Sequence, residues 1–247
     1  MGSESGFKNI AIILAGGLGS RMSGSIDLPK QFYLLKNKPI LIHTLEIFER
    51  HTEIDSICVV CLHTWEDHLD KCLAKYGIRK VRWVVKAGDI RQESVYNGLL
   101  ALGDYADSND VVVVHDGVRM FIGADIISNN INAARTYGTA MTSIQNSDSL
   151  LVSQDSVFSD RAHDRDSVFM VQTPQSYLYG LGLDIYRRAY ARGIVNSINC
   201  CELFVRMGQR VRLVSGLKTN VKITTAEDIE FLHALHEIYN SNTRIVN

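Results

Sequence analysis

The stretch NIAIILAGGLGSRMSGSIDLPKQF, residues 9–32, begins with an apolar run and continues into a glycine-rich loop. The apolar run predicts a buried β-strand over 9–15, because strands covered on both faces carry continuous rather than alternating hydrophobic residues. Several glycines and two cations, Arg21 and Lys30, occupy the loop. Glycines let the backbone approach a ligand with its N–H groups exposed, and cations neutralise negative charge. The loop therefore predicts a phosphate-binding segment after the first strand.

The following residues repeat the alternation of strand and helix. Valine- and isoleucine-rich runs predict further strands over 54–62, 81–88, 110–116 and 139–144. Helices are predicted over 39–51, 65–77, 91–102, 124–138 and 178–193, and after a capping box from Thr225 to Asp228. This order predicts an α/β fold, a Rossmann-like, mostly parallel sheet with helices on both faces. Such sheets bind ligands at the carboxyl ends of their strands, so the glycine loop and Asp116 are expected at one rim.

Residues 143–172, which we call the arm, interrupt this alternation with short apolar runs, turn residues and no helical face. The pattern predicts a β-hairpin that projects from a single domain spanning residues 1–247. An isolated hairpin cannot bury its apolar face, and this one carries Leu150, Leu151, Val152, Val157 and Phe158. A two-fold homodimer in which each arm packs on the partner chain would cover these side chains.

The composition argues against several classes of protein. The 247 residues carry a formal net charge of -1, so no excess of Lys and Arg is available for a nucleic-acid partner. No stretch has the length of a transmembrane helix and the N-terminus is polar, so a cytoplasmic protein without a membrane partner is expected. Cys58 and Cys61 form a C-x-x-C pattern inside a predicted strand, where side chains three residues apart point to opposite faces. A zinc or redox site is therefore not expected there.

Two common phosphate-binding loops do not fit the glycine stretch. A dinucleotide fingerprint needs a third glycine where Met22 stands, which disfavours an NAD-dependent oxidoreductase. A Walker A loop needs Lys followed by Ser or Thr where Ser25 and Ile26 stand. The residues alone leave two alternatives open, a different phosphate-binding loop and a solvated turn with incidental charges.

Segments along nearly the whole chain resemble one known family: LAGGLGSRM…LPKQF, AGDIRQESVYNGL, VVVVHDGVRMFI, QTPQSY and NVKITTAEDI. They are similar to the sugar-nucleotide-forming nucleotidyltransferases, in particular the cytidylyltransferases that make CDP-activated polyol phosphates. LPKQF, PILIHT and LKTNVKITT resemble the ribitol-5-phosphate branch more closely than the methylerythritol-phosphate branch of isoprenoid synthesis. The resemblance implies transfer of CMP from CTP to an alditol phosphate, D-ribitol 5-phosphate, with release of pyrophosphate. The alternatives are 2-C-methyl-D-erythritol 4-phosphate as acceptor and a catalytically silent nucleotide-binding regulator.

The resemblance also implies the parts of the site. Mg²⁺ is the expected cofactor, with Asp116 as its ligand, and CTP and an alditol phosphate are the expected partners. Catalytic roles are implied for Arg21, Lys30 and Lys222, the last on a strand in the family. Nucleotide contacts are implied for Leu14, Ala15, Gly16, Gly17, Gly19, Gly88, Asp89, Arg91 and Ser94. Acceptor contacts are implied for Arg119, Ser149, Arg165 and Thr173. In the family, the arm reaches into the neighbouring subunit and helps to bind the acceptor phosphate, and Arg165 and Thr173 align with its phosphate-binding residues.

Two departures from the family pattern concern the acceptor side. Relatives carry a Thr-Asp segment near the acceptor where this chain has Ile198 and Asn199, so a hydroxyl and a carboxylate are missing. The common Arg-Pro is Arg119-Met120 here, which keeps the cation. The first departure leaves the nucleotide chemistry in place and the identity of the acceptor open.

Overall fold

A computed structural model describes residues 6–17, 28–224 and 227–245 of the chain. Its strands are β1 (Asn9–Ala15), β2 (Leu34–Leu35), β3 (Lys38–Pro39), β4 (Ser56–Cys61), β5 (Val81–Lys86), β6 (Val111–Asp116), β7 (Thr139–Gln145), β8 (Leu150–Val152), β9 (Arg161–His163), β10 (Phe169–Leu178) and β11 (Leu213–Ser215). Its helices are α1 (Ile40–Arg50), α2 (Glu66–Tyr76), α3 (Arg91–Leu102), α4 (Ala124–Tyr137), α5 (Tyr179–Ala191), α6 (Cys200–Arg206) and α7 (Glu227–Ile245). In the described part of the chain, no helix is both long and apolar enough to span a bilayer.

Seven strands form one sheet in the order β11-β7-β10-β6-β1-β4-β5. β1 runs parallel to β4 and β6, and β5 and β11 are parallel to their neighbours β4 and β7. β10 runs antiparallel to β6 on one side and to β7 on the other. This mostly parallel sheet with intervening helices confirms the predicted fold class. Strands β10 and β11 and helix α6 were not predicted from the sequence.

Two hydrophobic cores cover the two faces of the sheet. Ile13 of β1 packs on one face with α1, α2 and α4, and its neighbour Ile12 packs on the other with α3, α5 and α6. Successive residues of one strand thus enter different cores, which explains why the strands read as continuous apolar runs. Cys58 and Cys61 also lie in different cores, and burial raises the pKa of each thiol to about 12.

Helices α1, α2 and α4 have the ends that the sequence predicts. Pro39 occupies the position before α1. Gly77 and Gly138 follow α2 and α4 with φ of 68° and 79°, in the left-handed region that favours glycine. The predicted capping residue Thr225 lies outside the described residues. Asp228 of α7 accepts hydrogen bonds from the N–H and hydroxyl of Thr224, at 2.6 and 2.8 Å.

The arm contains the end of β7, the pair β8–β9 and the start of β10. β8 and β9 pair antiparallel as a separate two-stranded sheet. Leu151, Val157 and Phe158 are 71%, 73% and 78% exposed, so the described chain leaves them largely uncovered. That the chain is one domain over 1–247, with the arm as its projection, stays a prediction.

Candidate active site

A cleft of about 560 Å³ opens where β1, β4, β5 and β6 end, the edge at which parallel sheets bind ligands. Residues that follow these strand ends line it, joined by residues from two other parts of the chain. The predicted site residues that the structure places around the cleft are Leu14, Ala15, Gly16, Gly17, Lys30, Gly88, Asp89, Arg91, Ser94, Asp116 and Lys222. Gly19 and Arg21 lie outside the described residues.

The loops after β1 and β5 approach each other closely along one wall of the cleft. A Cβ atom at Gly16 would lie 2.3 Å from the Cβ of Ala87, so this approach requires glycine. Ser94 Oγ of α3 accepts a hydrogen bond from the Gly88 N–H at 3.1 Å, which fixes the loop after β5. Glycine backbone therefore forms part of the wall, and its binding of phosphate stays a prediction.

Asp116, the last residue of β6, is buried and faces three cations. Its Oδ1 lies 3.2 Å from Arg91 Nη2, and its Oδ2 lies 3.0 Å from Lys222 Nζ and 3.4 Å from Arg119 Nε. Burial by itself raises the pKa of this carboxyl, but Arg91, Lys222 and Arg119 together hold the pKa far below its ordinary range. Asp116 is therefore ionised at neutral pH, and positive charge is in excess at this end of the cleft.

Three separate parts of the chain supply these cations. Arg91 begins α3, and Arg119 follows β6 in a turn where its N–H donates to the Asp116 carbonyl at 3.1 Å. Lys222 lies in residues 220–224, which form neither helix nor strand. The strand implied for Lys222 is therefore wrong. Side chains bind two carbonyl groups of this segment, those of Asn220 and Ile223.

Lys30 is one of the residues that bind this segment. It lies in a single 3₁₀ turn, Lys30–Phe32, that follows Pro29. The adjacent Gln31 is buried and donates from Nε2 to the Ala15 carbonyl at 2.7 Å, which ties the turn to the end of β1. Lys30 Nζ donates to the Ile223 carbonyl at 3.0 Å. Lys30 thus joins the cleft to the segment that carries Lys222.

Two buried residues contact the backbone around Asp116. Thr173 of β10 accepts a hydrogen bond from the Asp116 N–H at 3.1 Å, so this predicted acceptor residue lies directly beside the carboxylate's backbone. His115 packs against the ring of Phe48, and its Nε2 lies 3.0 Å from the Arg119 carbonyl. Burial lowers the pKa of His115 to about 4, so the ring is neutral at pH 7.

The other two predicted acceptor residues lie away from this cluster. Ser149 and Arg165 are exposed on the arm, and neither belongs to the described residues that line the cleft. Arg165 Nε lies 3.7 Å from Asp166 Oδ1, a contact between exposed neighbours. Within one chain, the structure does not bring these two side chains to the cleft.

The sequence matches the family described as IspD: 2-C-methyl-D-erythritol 4-phosphate cytidylyltransferase over residues 9–237. The chain belongs to this cytidylyltransferase family. It is 41% identical to a ribitol-5-phosphate cytidylyltransferase of Vibrio parahaemolyticus, over 92% of this chain and 95% of that protein. It is 38% identical to a 2-C-methyl-D-erythritol 4-phosphate cytidylyltransferase of Clostridium botulinum, over 90% of this chain and 94% of that protein.

Solved structures lead to the same family. The crystal structure of a 4-diphosphocytidyl-2C-methyl-D-erythritol synthase from Anaerococcus prevotii superposes with a TM-score of 0.80 at 30% identity, covering 94% of this chain and 99% of that chain. The protein is thus a CTP-dependent cytidylyltransferase, and the cleft at the strand ends is its candidate nucleotide site. Because relatives with two different acceptors are 41% and 38% identical to it, overall identity does not fix the acceptor.

In this cytidylyltransferase, the departure at Ile198 and Asn199 has a local structural role. Asn199 Oδ1 accepts a hydrogen bond from the Glu202 N–H at 2.9 Å, and Glu202 Oε2 accepts one from the Ile198 N–H at 2.7 Å. This reciprocal pair caps the start of α6 and resembles a capping box, except that the Glu side chain binds the N–H of the residue before the cap. The Asn199 side chain is therefore engaged with its own helix, and the Ile198 side chain is 74% exposed.

Two titratable residues that line the cytidylyltransferase cleft were not among those predicted from the sequence. His63 and Lys86 stand at or just beyond the ends of β4 and β5. Asp116 was placed in the site by the rule that ligands bind at the carboxyl ends of parallel strands. The same rule would have indicated His63 and Lys86. Cys200 Sγ lies 4.0 Å from Arg91 Nη1, and no local pattern signals this contact because 109 residues separate the two.

Proposed function

We propose that the protein transfers CMP from CTP to D-ribitol 5-phosphate and releases pyrophosphate. The observation that carries the proposal is the cluster at the cleft, where Arg91, Arg119 and Lys222 surround the Asp116 carboxylate. Such a cluster, beside a wall of glycine backbone, suits a ligand with several negative charges. Family membership supplies the nucleotide, CTP.

The reaction needs no nucleophilic side chain. A phosphate oxygen of the acceptor forms a bond to the α-phosphorus of CTP, and the bond from that phosphorus to the bridging oxygen breaks, so pyrophosphate leaves with the electron pair. Negative charge builds on the α-phosphate and on the leaving group, and fixed cations stabilise it. We assign this role to Lys30 and Lys222, with Arg21 as the third cation that the family resemblance implies.

The residues present fit a Mg²⁺ ion that is held mainly by the nucleotide. Magnesium in phosphate-transfer sites takes one or two carboxylates and completes its shell with phosphate oxygens and water. Asp116 supplies one ionised carboxylate at the cleft, where it now contacts cations that phosphate groups can also bind. When bound, Mg²⁺ would neutralise charge on the phosphates. We propose Asp116 as its protein ligand.

Ribitol 5-phosphate is favoured as the acceptor by two relatives that carry that name and are 41% and 35% identical to this chain. The second candidate is 2-C-methyl-D-erythritol 4-phosphate, which the family description and the 38% identical relative name. The Asn199 cap at α6 favours neither, because that side chain is bound to its own helix.

The acceptor half of the site is proposed to need a second chain. Arg165 and Ser149 are exposed on an arm whose apolar residues Leu151, Val157 and Phe158 are also exposed. A two-fold dimer in which each arm packs on its partner would cover this apolar surface and bring Arg165 to a neighbouring cleft. We also propose a cytoplasmic location, because the reaction consumes CTP.

Pyrophosphate release from CTP and Mg²⁺, measured with a panel of alditol phosphates and with no acceptor, tests the proposal. Release is expected to be fastest with D-ribitol 5-phosphate, with CDP-ribitol formed in equal amount. Faster release with 2-C-methyl-D-erythritol 4-phosphate would move the assignment to the second candidate. Binding of CTP without release for any acceptor would indicate a catalytically silent regulator.

A further inference from the structure

Residues 216–224, which we call the Lys222 segment, are bound to the base of the arm at several points. The Gly216 N–H donates to the Ser143 carbonyl at 2.9 Å. Gln172 Nε2 donates to the Leu217 carbonyl at 2.9 Å. These contacts anchor the start of the segment on β7 and β10, because Ser143 and Gln172 belong to those strands.

Asn220 makes the most extensive of these contacts. Its side chain is fully buried, and Nδ2 donates to the Thr173 carbonyl at 2.8 Å and to Gln172 Oε1 at 3.2 Å. Its own carbonyl accepts a hydrogen bond from Arg119 Nη1 at 2.5 Å. Among the described residues, no donor reaches Asn220 Oδ1, so burial of this amide is not compensated at that atom.

These contacts close a ring through the candidate active site. Thr173 binds Asn220 through its carbonyl and binds the Asp116 N–H through Oγ1. Asn220 stands two residues before Lys222, whose Nζ lies 3.0 Å from Asp116 Oδ2. Residues 220–222 are thus held at both ends, by the Asn220 side chain on Thr173 and by the Lys222 side chain on Asp116. The Asn220 amide therefore determines where the Lys222 backbone enters the site.

We propose that Asn220 is a positioning residue that acts through Lys222 and links Lys222 to the base of the arm. The proposal rests on the function proposed above, in which Lys222 stabilises charge on the reacting phosphates. A small displacement of a group that acts on the transition state lowers the rate of the chemical step far more than it lowers nucleotide affinity. Asn220 is therefore a determinant of kcat rather than of CTP binding.

The chemistry of the contact explains why the residue is an amide. Both acceptors of Asn220 Nδ2 are oxygens, the Thr173 carbonyl and Gln172 Oε1, so the position needs two N–H donors on one atom. A carboxylate of the same shape has no such donors and would face two oxygens. Asn220→Asp should therefore be as harmful as Asn220→Ala, although it preserves the size of the side chain.

A double-mutant cycle with Lys222→Ala tests whether Asn220 acts through Lys222. We expect Asn220→Ala to lower kcat by about 10²-fold and to change the Kd for CTP by less than about 3-fold. In the Lys222→Ala background, Asn220→Ala should lower the residual kcat no further. An equal loss of kcat in both backgrounds, or an unchanged kcat in the single variant, would overturn the proposal.

Controls separate positioning from folding. Asn130 of α4 is also fully buried and donates from Nδ2 to the Ile126 carbonyl at 2.9 Å and to Thr142 Oγ1 at 2.8 Å, and among the described residues neither partner is hydrogen-bonded to Asp116 or Lys222. Asn130→Ala should lower the thermal midpoint and leave kcat unchanged for the folded fraction. If Asn220→Ala does not fold, Gln172→Ala removes the second anchor and should lower kcat by about 10-fold with the same non-additivity.

The outcomes also separate this inference from the proposed function. Full turnover by Lys222→Ala would refute the role of Lys222 itself. A large loss in Lys222→Ala with normal turnover in both Asn220→Ala and Gln172→Ala would keep that role and refute the positioning role of Asn220.

Discussion

Two carboxylates, one in the cleft and one on the arm, are both held ionised, but by different means. Burial raises the pKa of Asp116, and cations from three distant segments outweigh it and lower that pKa. The pKa of Asp155 on the arm is lowered by the N–H groups of Phe158 and Val157 and by the Ser153 hydroxyl, all within three residues. The cleft is thus organised by long-range contacts, and the turn of the arm around Asp155 by local ones.

This difference indicates which half of the site one chain can build. The side chains around Asp116 are buried or half-buried and contact one another, so this part of the cleft is preorganised within a single chain. The base of the arm binds the Lys222 segment. The rest of the arm makes its contacts mainly within itself, and its apolar residues Leu151, Val157 and Phe158, together with Arg165, are exposed. We infer that the acceptor half is completed by contact with a second chain.

The largest effect is expected from removing the charge at the centre of the cleft. Asp116→Asn leaves Arg91, Arg119 and Lys222 without their anion and removes the proposed Mg²⁺ ligand, so turnover should fall by about 10³-fold. Pyrophosphate release, titrated with Mg²⁺, measures it. Asp110 is a matched control, since it is also buried and stands just before the other end of the same strand. Asp110→Asn should lower stability but not kcat. Normal turnover of Asp116→Asn at an ordinary Mg²⁺ concentration would contradict the assignment of Asp116 to the active site.

A smaller effect is expected at the edge of the cleft. Lys30→Ala should lower kcat by about 10²-fold, because Lys30 acts on charge that develops in the reaction, while the Kd for CTP changes much less. Steady-state kinetics and CTP titration measure the two effects. Lys38, which pairs with Glu46 at 2.6 Å outside the cleft, is the control, and Lys38→Ala should behave as wild type. Near-normal turnover of Lys30→Ala would contradict a catalytic role for this residue.

The buried strand end should also make stability depend on pH. The pKa of His115 is lowered from 6.5 to about 4 in the folded protein, so between these values the unfolded chain binds a proton that the folded chain does not. Stability therefore falls as pH falls, by about 2 kcal/mol from His115 alone between about pH 7 and pH 5. Urea unfolding without CTP measures this loss. His115→Gln should reduce the loss, and an unchanged loss in His115→Gln would contradict the assignment.

The smallest effect concerns the cap of α6. Asn199→Ala removes the hydrogen bond to the Glu202 N–H and should lower the free energy of unfolding by about 1 kcal/mol, with unchanged KM for the acceptor. Thermal unfolding and acceptor kinetics measure the two quantities. Asn199→Asp keeps a capping oxygen and should retain stability. A rise in acceptor KM without loss of stability would show that Asn199 contacts the acceptor.

Local patterns in the sequence predicted most of the fold. Continuous apolar runs indicate strands buried on both faces, and Gly77 and Gly138 mark helix ends, because each signal lies within the element itself. Strand β10 was not predicted, since its residues 169–178 include a proline and its first four residues were assigned to the arm. Its pairing with β6 and β7 depends on the path of the whole chain.

The sequence predicted which residues belong to the candidate site, but it did not predict the contacts between them. The glycine loop and Asp116 were placed at one rim by the rule for parallel sheets. The ion pair between Arg91 and Asp116 and the bond from Lys30 to the Ile223 carbonyl join residues 25 and 193 positions apart. No periodicity or motif in one sequence encodes such distances.

The most direct test of the shared site is a mixture of two inactive chains. In a dimer with exchanged arms, a Lys30→Ala chain and an Arg165→Ala chain form one site with both defects and one with neither. An even, freely exchanging mixture contains about half heterodimers, so roughly a quarter of all sites should be native. We therefore expect pyrophosphate release well above the sum of the two separate variants, and nearly a quarter of wild type. Two results would contradict a site shared between two chains. One is subunit exchange, seen by mass spectrometry, without recovery of activity, and the other is a monomer at micromolar concentration in sedimentation.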